Sequence, residues 1–91
     1  MLQQIQTTDI HHKAAYYGLH IGGIYLHYKG HRYKVRALAC NTEDLSWSVV
    51  YEALYTNKIS QIWSRNVEDF LATITLEDGA QQPRFIYLGQ E

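Results

Sequence analysis

The sequence is poor in the residues that staple or anchor a chain: it has one cysteine, one proline and no apolar run longer than a few residues. A lone thiol cannot close an internal disulfide, so Cys40 points to a reducing compartment and excludes every zinc framework built on paired cysteines. No stretch approaches the roughly 20 apolar residues that a membrane helix requires. Residues 1–20 lack a basic start followed by an apolar block, so no signal peptide is expected and a cytoplasmic location follows. Net charge is only -1 while 46% of the 91 residues are hydrophobic, a balance that excludes a disordered chain and leaves a packed globule. The length suits one modest core with no separate regulatory unit.

Charge is unevenly spread. Residues 1–36 carry Lys13, Lys29, Arg32, Lys34 and Arg36 against Asp9 alone, whereas residues 37–91 carry three basic and eight acidic residues. A near-neutral chain with this split still presents a basic stripe, and a stripe is what attracts phosphate or an acidic partner. It is shorter than the extended basic runs of typical nucleic-acid patches, and a solvated strand face is its simpler account.

Residues 1–21 begin MLQQIQTTDIHHKAA, polar and without periodicity, which predicts a flexible amino-terminal arm or a short helix ahead of a domain over residues 22–91. From Gly23 the chain alternates, with Ile24, Leu26 and Tyr28 on one side and Tyr25, His27 and Lys29 on the other. A turn around Gly30, which supplies a positive φ, leads to Tyr33, Val35, Ala37 and Ala39; their alternation leaves Arg32, Lys34 and Arg36 outside and carries Cys40 inward as a buried, inert thiol. Residues 23–40 therefore read as a β-hairpin. Strands over 47–55, 59–64, 70–76 and 84–88 follow, with Asn66 capping a brief helical turn through Asp69. The mainly β architecture they imply is a small antiparallel SH3-like barrel of about five strands, with an OB-type barrel as the alternative.

Few features carry chemistry. His11, His12, His20, His27 and His31 crowd the first third of the chain, but strand spacing does not converge them as a helical i, i+4 pair would, and no H-E-x-x-H or C-x-x-C accompanies them, so no metal site is expected. The acidic pairs Glu43–Asp44, Glu68–Asp69 and Glu77–Asp78 are adjacent in turns, where neighbours diverge instead of meeting on one substrate atom. Aromatics are more informative. Eight tyrosines and two tryptophans exceed what a minimal core needs, and tyrosine joins apolar area to a polar tip, as binding surfaces require. Tyr33, Tyr51 and Trp47 are expected in the core; Tyr25, His27, Lys29 and Arg32 are expected together on the outer side of the hairpin.

The run Gly23-Ile24-Tyr25-Leu26-His27-Tyr28-Lys29-Gly30, continuing through Arg32-Tyr33-Lys34-Val35, resembles the G-x-Y-x-H-Y-K-G-x-x-Y-x-V opening of the small bacterial family called domain of unknown function 1653. Val49-Val50-Tyr51 with Leu54-Tyr55, Trp63 with Arg65 and Phe70, and Pro83-Arg84-Phe85 resemble its later segments. The resemblance implies an SH3-like barrel and the positions Tyr25, His27, Tyr28, Lys29, Tyr51, Tyr55, Trp63 and Arg65, without a reaction or cofactor. Asn41 departs from the family's histidine before the acidic turn, and Asn66 from its proline after the arginine.

Three function classes follow. The leading one is a non-enzymatic binding module in which Tyr25, His27, Lys29, Arg32, Tyr55, Trp63 and Arg65 hold a peptide, an anionic ligand or single-stranded nucleic acid on an aromatic and basic face. The second is a small hydrolase-like catalyst with His27 as base, oriented by Glu43 or Glu52, and Arg65 stabilising an anion. The third is a subunit that pairs by a strand edge with a second copy or a larger partner.

Overall fold

In the computed structural model, which describes residues 10–90, the elements run α1 (Ile10–Tyr17), β1 (Gly23–His27), β2 (Arg32–Cys40), β3 (Trp47–Ala53), β4 (Ile62–Asn66), α2 (Val67–Phe70), β5 (Thr73–Thr75), β6 (Gln81–Pro83) and β7 (Phe85–Gln90). The mainly β, antiparallel character expected from the alternation is present. Five strands form one sheet in the order β4-β3-β2-β1-β7, and β5 and β6 form a separate ribbon. Among the described residues nothing joins β4 to β7, so the sheet is open at both edges. No helix of the described residues is long and apolar enough to cross a membrane.

Local rules account for much of this. Gly18 ends α1 at a φ of 74°, and Leu19 N–H donates to the Ala14 carbonyl at 2.8 Å while Gly18 N–H donates to Ala15 at 3.1 Å. These two bonds are the Schellman pattern that satisfies the last carbonyls of a helix. They also turn the chain so that Ala14 and Leu19 both enter the core. The rest of the expected arm, residues 1–9, lies outside the described residues. Gly30, at a φ of 107°, closes the β1–β2 connection as expected, its N–H donating to the His27 carbonyl at 2.7 Å. Asn66 Oδ1 accepts from Glu68 N–H at 2.8 Å and Asp69 N–H at 3.4 Å, capping α2 as its sequence position suggested.

The core sits on one face of the sheet. Phe70, Val35, Val49 and Val67 are its largest fully buried side chains. Phe70 stacks on Phe85 at 4.0 Å between ring centroids and meets Tyr25 and Tyr51 edge-on at 5.3 and 5.2 Å.

Four expectations about individual segments are overturned. Tyr25 is buried and not on an outer face. It pairs directly with Tyr33, and opposed residues of an antiparallel pair share a face, so an inward Tyr33 carries Tyr25 inward with it. Cys40 is exposed, because β2 pairs Val35 with Tyr51 and Ala37 with Val50, leaving Arg36 as an extra residue. Such a bulge inverts the alternation beyond it, so that Leu38, not Ala37 or Ala39, is buried. The strand expected at 59–64 begins only at Ile62, because Asn57 Oδ1 accepts from the Ile59 and Ser60 N–H groups, both at 3.0 Å, and holds a loop. Phe70 belongs to α2 and not to a strand over 70–76, of which only Thr73–Thr75 remains.

Gly23 marks the tightest approach in the sheet. A Cβ there would stand 2.7 Å from Tyr87 Cε1 and 2.9 Å from the His20 carbonyl oxygen, an oxygen already held at 3.0 Å by Gly23 N–H. Gly23→Ala is expected to destabilise the protein by about 1–3 kcal/mol, the usual cost of overpacking a core, read as a lower urea midpoint with an unchanged m-value.

Candidate functional site

At the β1–β2 turn end of the sheet, antiparallel pairing gathers residues far apart in sequence. His27 lies opposite Phe85, and Tyr28 N–H donates at 3.0 Å to the Arg84 carbonyl, so the Arg84 backbone is tied beside the turn. On the other side, β4 presents Trp63 opposite Tyr51 and Arg65 opposite Val49. Arg65 Nε approaches the Tyr51 hydroxyl at 3.5 Å.

His27 is half-buried, with Tyr28, Phe85 and Tyr33 rings at 4.6, 4.9 and 6.3 Å. Its Nδ1 accepts the Lys29 N–H at 3.1 Å, which leaves Nε2 to carry the proton of the neutral ring. Burial first, and then the positive charges of Arg65, Arg84, Lys29 and His31, hold its pKa below the ordinary 6.5. All four charged neighbours that shift it are cationic. Among the described residues neither Arg65 nor Arg84 has a carboxylate partner, although both are half-buried; Arg84 Nε donates to the Asp69 carbonyl at 3.0 Å.

An aromatic chain runs from this point to the surface. Tyr33 meets Tyr51 and Phe85 edge-on at 5.2 and 5.8 Å, and its hydroxyl shares a 2.6 Å hydrogen bond with that of Tyr55. Burial and that bond push the Tyr33 phenol well above its usual pKa, so it remains a neutral hydroxyl. Tyr55 in turn stacks under the exposed ring of His31 at 4.0 Å and 19°. Trp63 Nε1 is buried without a hydrogen-bond partner. The polar groups free here are therefore donors or cations.

Of the residues expected to act together, His27, Lys29 and Arg65 share one electrostatic site and Tyr55 joins it through Tyr33. Trp63 stands on the same face of β4 as Arg65. Arg32 is exposed at the start of β2, where its carbonyl accepts the Leu54 N–H at 3.0 Å. Tyr25 is withdrawn from the site: its ring is buried and its hydroxyl accepts the N–H of the exposed His20 at 3.1 Å. The carboxylates proposed to orient His27 do not gather there. Glu52 is engaged by Arg36 on the outer face, and Glu43 is exposed in the β2–β3 turn. Arg84, His31 and Tyr33 were missed as site residues. The pairing of Tyr25 with Tyr33 is available from the hairpin turn, whereas nothing local to Pro83-Arg84-Phe85 reveals that the charge of Arg84 acts on His27.

These features define a small antiparallel β domain with an aromatic and cationic face at one end of an open sheet. Residues 23–87 match the model of the family described as "Protein of unknown function (DUF1653)", and the chain belongs to that family. It is also similar to the crystal structure of a protein of the same family from Bordetella bronchiseptica, at 34% identity and a TM-score of 0.70, over 77% of this chain and 88% of that one. No curated protein matches it.

Proposed function

We propose that the protein is a non-enzymatic binding module that holds an anionic group between His27, Arg65 and Arg84. The observation that carries this reading is that two half-buried arginines, without a carboxylate partner among the described residues, act together on the half-buried His27. Partly desolvated like charges repel, and an anion bound among them relieves that repulsion with charge-assisted hydrogen bonds.

The pH dependence has a definite sign. An anion beside His27 raises its depressed pKa, so affinity for inorganic phosphate is expected to increase as pH falls through the region below 6.5. Folding responds oppositely in the free protein: the unfolded chain takes up the histidine proton at higher pH than the folded chain, so His27 lowers stability as pH drops below 6.5. Titration with inorganic phosphate at low salt, followed by the His27 ring and Arg65 and Arg84 Nε NMR signals, tests the reading. Saturable shifts that weaken about tenfold or more in Arg65→Gln support it. Signals unmoved by phosphate at pH 5.5 and 7.5 overturn it.

A further inference from the structure

We infer that the anion this face receives belongs to a single-stranded nucleic acid, with one base stacked on His31. The inference rests on the anion-binding reading above and adds to it a second observation, the ring pair of His31 and Tyr55. Their ring centroids lie 4.0 Å apart with the planes within 19° of parallel, and His31 is the exposed member. A lone exposed histidine on a turn rotates freely and offers no platform. This one is backed by Tyr55, whose hydroxyl is tied at 2.6 Å to Tyr33, and Tyr33 packs edge-on against Tyr51 and Phe85 in the core. The outer face of the imidazole is thus a surface held in place by a chain of rings, and every nucleobase has a π-face to lay on it.

The charges around the platform are distributed to match. His31 follows Lys29 and Gly30 and precedes Arg32, and Lys29 and Arg32 are both exposed; Arg84 and Arg65 lie further in, around His27. Cations at several depths beside one stacking surface suit successive phosphates of a strand better than the single carboxylate of a peptide side chain. A shallow face also favours a single strand, because a base paired in a duplex cannot reach the His31 ring.

The test compares three probes on the full chain at low salt: a dT octamer, an octamer of the same phosphate count with abasic sugars, and an octaglutamate peptide. The dT octamer is expected to bind at least tenfold more tightly than either of the others, with a salt dependence that both oligonucleotides share. His31→Ala is expected to erase the difference between dT and abasic octamers, and His31→Phe, which keeps the π-face without the charge, to retain it. Equal affinity for dT and abasic octamers, or octaglutamate binding as tightly as dT, overturns this inference. If phosphate moves His27 and Arg65 while neither octamer binds, the nucleic-acid inference fails alone; if phosphate also leaves them unmoved, the anion reading fails with it.

Discussion

Phe70→Ala is expected to remove about 3–5 kcal/mol of stability, in the range found for deleting a buried aromatic, and to lower the melting temperature by on the order of 20 °C. Phe70 is fully buried although it stands in a helix of four residues. Such a helix does not sustain itself, since nucleation is costly and most helical stability comes from packing. Asn66 caps its start, and Phe70 anchors its end by stacking on Phe85 and touching Tyr25 and Tyr51 edge-on. Removing the ring deletes contacts to three strands at once, because Phe85 belongs to β7, Tyr25 to β1 and Tyr51 to β3. Against a total stability of roughly 5–15 kcal/mol, the variant is expected to be marginally folded at 37 °C. Urea unfolding monitored by circular dichroism checks this, and a midpoint within experimental error of the wild type would show that α2 is not held by this ring.

Tyr25→Ala is expected to cost a similar amount, about 3–5 kcal/mol by the same cavity argument, although strand alternation alone places Tyr25 on the outer side of the hairpin. The phenol ring is buried between Phe70 and Tyr87, at 5.3 Å from each. Tyr25→Phe separates its two contributions. The ring then remains and only the hydroxyl that accepts the His20 N–H is lost, so the expected cost is about 1–3 kcal/mol for the donor left unpaired. Burial of the hydroxyl, partly offset by that N–H, raises the Tyr25 phenol pKa, so ultraviolet titration should show one fewer late-ionising tyrosine in Tyr25→Phe than in the wild type, the Tyr33 phenol staying late in both. If Tyr25→Ala matched the wild type in denaturation, Tyr25 would be a surface residue after all and the first hairpin would face the other way.

The contrast between these variants and those of the site follows from how the two sets of residues are held. Phe70 and Tyr25 satisfy themselves within the core. Arg65 and Arg84 are half-buried without carboxylate partners among the described residues, their Nε groups meeting only the neutral oxygens of Tyr51 and Asp69.

Much of this was legible in the sequence. Alternation from Gly23 to Ala39 announced a hairpin, Gly30 its turn, and Asn66 followed by Glu68 and Asp69 a capped helical turn, because each of these rules operates over a few residues. The ordered motifs from Gly23 to Phe85 likewise pointed to the family to which the chain belongs. His27 and Lys29 follow from residue type and strand position, whereas Arg65 follows from the family resemblance.

Tertiary structure decided the remainder. Period two says which residues share a face and not which face is covered; β1 has strands on both sides and its Ile24 and Leu26 are half-buried too, so only the packing of Phe70, Phe85 and Tyr87 selects Tyr25 for the core. The bulge at Arg36 leaves no mark in the hydrophobic pattern, yet it reverses every residue from Ala37 to Cys40. The charge of Arg84 acts on His27 because β7 returns to pair with β1, which sets Phe85 opposite His27 and ties the Arg84 carbonyl to Tyr28 N–H. Local propensities act over a turn or a strand, whereas the inside and outside of a sheet, and the charges that meet upon it, are settled by contacts between segments some sixty residues apart.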